Sequence, residues 1–132
     1  MPKTVLLVDD DPEFLSALSP LLNTAGYSVI TAKDAKEARS VLDDHRVFIN
    51  AAIIDLELPE IGGFQIIGEL ARVQKRPIPI MAVTGVYNDV HLEVAEYLGA
   101  KISIRKPKPG RPLTLIVDGL RVLMSKPPAA QT

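Results

Sequence analysis

The sequence predicts an α/β domain: a doubly wound, five-stranded parallel sheet with five helices. Two observations predict it. Short runs rich in branched apolar residues recur along the chain without polar alternation, and each is followed by a stretch with apolar residues at helical spacing. Unalternating runs suit strands buried on both faces, and parallel neighbours need right-handed helical crossovers.

In chain order, Val5 to Val8 is the first strand-like run; Ser28 to Thr31, Ala51 to Ile54, Ile78 to Val83 and Ile102 to Ile104 follow. Phe14, Leu15, Leu18, Leu21 and Leu22 mark the first helix, opened by Asp11 as cap, Pro12 in first position and Glu13 in an acidic first turn. Pro20 conflicts with that helix, because an interior proline removes a backbone bond and kinks the axis at a cost of ~3 kcal/mol. Ala35, Ala38 and Leu42 mark the second helix behind Asp34, and Phe64, Ile67, Leu70 and Ala71 mark the third. Val90, Val94, Ala95 and Leu98 mark the fourth behind Asn88. Gly26 and Gly99 stand just past helix ends, where the backbone turns left-handed.

A last helix starting at Leu113 turns by about 100° per residue. That places Leu113, Ile116, Val117, Leu120, Leu123 and Met124 on one face, with Leu115 and Val122 opposite. These two exposed branched residues are a candidate patch for a partner or for self-association, including a homodimer through this helix.

A chain of 132 residues holds one domain, here residues 3–124, followed by a flexible tail or truncated linker at 125–132. The formal net charge of −1 supplies no positive field for nucleic acid or anionic lipid. No apolar run approaches the roughly 18 residues a membrane span needs, and Met1 to Thr4 shows no signal-peptide pattern, so a cytoplasmic location is expected. The absence of cysteine removes disulfides and thiolate chemistry.

In doubly wound sheets, ligands bind beyond the carboxyl ends of the strands. There the first run ends in Asp9-Asp10-Asp11, the third in Asp55, the fourth in Thr84-Gly85 and the fifth in Lys106-Pro107. Singly, each has a bland reading as a cap, a turn or a surface lysine, and Asp11 is taken as a cap. Their coincidence at corresponding strand ends is what those readings leave unexplained. Asp9, Asp10 and Asp55 brought together would repel unless protonated or neutralised by a hard cation, and Mg²⁺ suits an all-oxygen set. With no cysteine, and with His45 and His91 following no strand, a zinc site is not expected. A carboxylate can attack phosphorus to form an acyl phosphate, provided the equatorial oxygens are neutralised. Thr84, the amides after it and Lys106 could share those oxygens with the metal, and Gly85 would leave the approach open.

At this point the sequence resembles the receiver domain of two-component response regulators (CheY-like), over about Thr4 to Met124. The motifs are Val-Leu-Leu-Val-Asp-Asp-Asp, Ile-Ile-Asp-Leu-Glu-Leu-Pro-Glu-Ile-Gly-Gly, Val-Thr-Gly, and Gly-Ala with Lys-Pro six residues on. The resemblance implies a flavodoxin-like sheet of order 2-1-3-4-5 and a signalling switch, not a classical enzyme. Its donor would be a sensor histidine kinase or histidine phosphotransfer protein, and its output a contact with another protein. It implies Asp55 as phosphoacceptor, with Mg²⁺ held by Asp10, by Asp9 mainly through water, by Asp55 and by the Glu57 carbonyl. Thr84 and Lys106 would bind the phosphoryl group. A cis Lys106–Pro107 bond is also expected.

Three departures stand out. Ser103 occupies the position where relatives carry an aromatic switch residue, so output must be read differently or more weakly. Glu57 and Val86 occupy positions that tune dephosphorylation in relatives. Lys106 to Pro112 is unusually rich in proline, which should stiffen the approach to the last helix. Two alternatives remain open. A haloacid-dehalogenase-like phosphatase would use Asp9-Asp10-Asp11 as its nucleophile motif and leave Asp55 idle. The domain could also be the receiver part of a longer transcriptional regulator.

Overall fold

The computed structural model describes residues 2–59, 62–73, 78–85 and 89–125. Its elements are β1 (Thr4–Val8), α1 (Pro12–Thr24), β2 (Ser28–Ala32), α2 (Ala35–Asp43), β3 (Ala51–Asp55), α3 (Gly62–Val73), β4 (Ile80–Thr84), α4 (Asp89–Leu98), β5 (Ile102–Arg105) and α5 (Thr114–Ser125). All paired strands are parallel, in the order β2-β1-β3-β4-β5. The expected order is therefore found. Among the described residues, no helix is long and apolar enough to cross a membrane.

Alternate residues of the strands feed two separate cores, which is why the runs do not alternate in polarity. Leu6, Val8, Ala52, Ile54, Ile80 and Ala82 point to one face and pack with Ala38, Ile66, Ile67, Leu70 and Ala95 from α2, α3 and α4. Val5, Leu7, Ala51, Ile53, Met81 and Val83 point to the other and meet Phe14, Leu18, Leu22, Ile116, Val117 and Leu120 from α1 and α5. The three central strands are buried on both sides.

The helix starts follow their caps. Asp11 accepts from the Glu13 amide at 3.0 Å and Asp34 from the Glu37 amide at 2.8 Å, each satisfying an amide the helix cannot. Gly26 and Gly99 have φ of 102° and 136°. Asn88, Val86 and the tail beyond Ser125 lie outside the described residues.

Two expectations need correction, and one conflict has an explanation. As expected, Pro20 lies inside α1, which continues to Thr24. Both Pro20 and Ser16, whose carbonyl loses its partner, are solvent-exposed, so water can satisfy the freed oxygen. β4 begins at Ile80 and not Ile78, because Pro79 has no amide to give; its carbonyl still accepts from Ala52 at 3.0 Å. No described peptide bond is cis, so Lys106–Pro107 is trans, the isomer X–Pro bonds favour by about 0.5–1 kcal/mol.

Candidate phosphoacceptor and metal site

Strand register assembles the site. Val8 pairs with Ile54, so Asp9 emerges beside Asp55 at the carboxyl rim; Asp55 pairs with Val83, and Thr84 with Arg105. One more ladder bond, from the Lys106 amide to the Thr84 carbonyl at 2.7 Å, sets Lys106 next to Thr84. The residues proposed from four strand ends therefore do share one edge.

Asp9 is fully buried, Asp55 is 2% exposed and Thr84 is 1% exposed, whereas Asp10 faces solvent. Asp9 Oδ1 accepts from the Asp11 amide at 2.9 Å, and Asp55 Oδ1 from the Glu57 amide at 3.0 Å. Lys106 Nζ lies 2.8 Å from Asp9 Oδ2 and 3.9 Å from Asp55 Oδ2. The shorter contact is an ion pair without hydrogen-bond alignment, so Asp9 Oδ2 is a buried acceptor with no well-aligned donor. The ammonium also sits 4.4 Å over the Phe14 ring, a cation–π contact that helps to hold it.

Burial raises the Asp9 pKa above the ordinary carboxylate range, against the pull of Lys106 and the Asp11 amide. Burial likewise pushes Asp55 up to about 7; the Glu57 amide opposes this and the Asp9 charge adds to it. Burial pulls Lys106 down, but its close contact with the Asp9 carboxylate and the charge of Asp55 outweigh it, leaving its pKa above the ordinary lysine value.

Ligand oxygens of Asp9, Asp10 and Asp55 lie within 4.8 Å of one another, close enough to hold one metal ion. The unaligned Asp9 Oδ2 and the raised carboxylate pKa values are the marks of an acid set that a hard cation would complete. Asp11 takes no part, since its side chain caps α1.

Three contacts were not anticipated from the sequence. The Glu57 side chain accepts from the Gly85 amide at 2.8 Å, so Gly85 is not an open approach but a donor already engaged. Phe14 supports Lys106; its place in the first turn of α1, after the aspartates, was the available signal. Gly63 approaches β3 so closely that an added Cβ would stand 2.1 Å from the Asp55 carbonyl oxygen, a demand hinted at by the Gly62-Gly63 pair. At the departure position, Ser103 Oγ donates to the Leu92 carbonyl of α4 at 3.3 Å, and Arg105 pairs with Asp89 of the same helix at 2.8 Å. Leu115 and Val122 are 61% and 60% exposed on the outer face of α5, as their spacing predicts.

A family model for the response regulator receiver domain matches residues 5–118. The response regulator GtcR of Aneurinibacillus migulanus is 36% identical over 107 residues, which are 81% of this chain and 43% of that protein. The response regulator SaeR of Staphylococcus aureus is 31% identical over 122 residues, 92% of this chain and 52% of that protein. The chain thus spans about half the length of the curated relatives it matches. Among solved structures, the chemotaxis response regulator CheY4 of Vibrio cholerae is similar at a TM-score of 0.78 and 29% identity, covering 93% of this chain and 100% of that one. With its sheet order, its acidic rim and this match over most of its length, the chain belongs to the response regulator receiver domains of two-component signal transduction.

Proposed function

We propose that Asp55 accepts a phosphoryl group from a phosphohistidine on a sensor histidine kinase or histidine phosphotransfer protein, in the cytoplasm, with Mg²⁺ bound beside it. The observation that carries this reading is a buried carboxylate at the end of a central strand, with two acids and one ammonium within a few ångströms. An Asp55 oxygen attacks phosphorus in line; the new O–P bond forms as the P–N bond to the donor imidazole breaks, and the imidazole leaves with the bonding pair. Asp9, Asp10, Asp55 and the Glu57 carbonyl would hold the ion, which would neutralise charge on carboxylates and phosphoryl oxygens alike. Lys106 shifts from Asp9 toward the arriving group, a short move given its 2.8 and 3.9 Å distances to the two acids. Thr84 and the Gly85 amide take the remaining oxygens.

Incubation with acetyl phosphate and Mg²⁺ is expected to add one phosphoryl group per chain. Peptide mapping after borohydride trapping should place it on Asp55. Label on any other aspartate, or turnover of a phosphate ester with no bound intermediate, would remove the reading.

For output, the supporting features are the exposed pair on α5 and the polar ties of β5 to α4. Ser103 then takes the place of the aromatic switch by holding α4 through its hydroxyl. Leu115→Glu with Val122→Glu is expected to abolish binding of the downstream protein or self-association and to leave phosphorylation unchanged. Sedimentation mass and partner binding both unaltered in the double variant would dismiss the α5 face.

A further inference from the structure

The Glu57 carboxylate lies where the preceding reading needs a phosphoryl oxygen to bind. Its Oε1 accepts from the Gly85 amide at 2.8 Å, across twenty-eight residues of sequence. The contact is close enough that a Cβ at Gly85 would stand 3.2 Å from the same oxygen. The surroundings do not favour an extra negative charge, since Asp9, Asp10 and Asp55 already crowd this rim. Glu57 is solvent-exposed and free to turn outward into water, yet its carboxylate is drawn in. The donor it meets is a backbone N–H just past the end of β4, unable to turn away because the Thr84 carbonyl before it is fixed to β5. A carboxylate edge offers such a donor the same anionic oxygen that a phosphoryl group would.

We propose that Glu57 is an internal occupant of the phosphoryl-oxygen subsite, a carboxylate that must leave the Gly85 amide before the acceptor is competent. The proposal rests on the reading of Asp55 as phosphoacceptor. It gives the Glu57 side chain a role separate from its backbone, whose amide serves Asp55 at 3.0 Å and survives any substitution of the side chain. The consequence is a resting state that discriminates against weak donors. A small phosphate ester must displace a tethered anion unaided, whereas a docked protein donor brings binding contacts of its own.

Beryllofluoride, which reports acceptor competence without covalent turnover, tests this at saturating Mg²⁺ determined separately for each variant. Glu57→Ala is expected to bind it on the order of tenfold more tightly than wild type, the worth of releasing a charge-assisted bond at an exposed site. Glu57→Gln keeps an acceptor oxygen but no charge, so its gain is expected to be smaller. In metal-free protein, hydrogen exchange at the Gly85 amide should be faster in Glu57→Ala than in wild type. Equal gains for Gln and Ala would show charge repulsion alone and overturn the proposal, as would unchanged affinity or unchanged exchange. A wild type that ignores beryllofluoride would instead defeat the phosphoacceptor reading itself, and this proposal with it.

Discussion

Asp55→Asn is expected to lose phosphoryl acceptance altogether and, in the absence of metal, to be more stable than wild type at pH 8. The two effects have one cause. Asp55 is 2% exposed and carries a pKa pushed up to about 7 by burial, against 3.8 for the ordinary group. A carboxyl whose folded pKa lies above its unfolded one binds its proton more tightly when folded. Its contribution is therefore fully present below about pH 4, falls as pH rises, and is gone above about pH 7. The gap sets a ceiling of about 4 kcal/mol on what ionising Asp55 costs the metal-free fold. Asparagine does not ionise, so thermal melts in EDTA between pH 5 and 8 should fall less steeply for the variant. Asp9, whose pKa is raised as well, leaves some slope behind. Adding Mg²⁺ should stabilise wild type increasingly as pH rises, because the ion binds the charged form, and should do much less for Asp55→Asn. Identical slopes in EDTA would mean that Asp55 is not held under strain by its surroundings.

Gly63→Ala is expected to destabilise the protein by about 3 kcal/mol, at the upper end for overpacking, and to lower Tm by roughly 10 °C. An added Cβ would lie 2.1 Å from the Asp55 carbonyl oxygen, 2.9 Å from its carbon and 2.9 Å from Leu56 Cα. All three are backbone atoms at the end of a central strand, and none can rotate away. Gly26→Ala is the control: its φ of 102° makes a side chain unfavourable by about 1–2 kcal/mol, but nothing lies within 4 Å of the added atom. A Gly63 variant that melts no lower than the Gly26 variant would show that α3 can retreat from β3 at little cost.

The sheet was legible because both its faces are covered. That forces the three central strands to be apolar at consecutive positions, so Val5 to Val8 and Ala51 to Ile54 stand out directly from the chain. The caps at Asp11 and Asp34 were legible for an equally local reason. Pro20 was not, since whether an interior proline is tolerated depends on which side of the helix faces water. The site followed from strand ends, because parallel register carries Asp9, Asp55, Thr84 and Lys106 to one rim whatever their rotamers. What stayed hidden is set by side-chain torsions: the Glu57 carboxylate turning onto Gly85, and Lys106 choosing Asp9 over Asp55. Those choices balance charge, solvent and ring contacts across elements far apart in sequence, and no spacing encodes them.

The ties between β5 and α4 bear on where this domain would yield first under load. α4 contributes one fully buried side chain, the small Ala95, with Leu92 and Leu98 half-buried beside it. A neutral hydrogen bond from Ser103 and a solvent-exposed ion pair from Arg105 add about 1 kcal/mol each at most. By contrast, α1 and α5 each bury three larger residues. The fold therefore has a soft shoulder. Native-state exchange should find α4 opening as a subglobal unit while the central strands stay protected until the whole chain unravels.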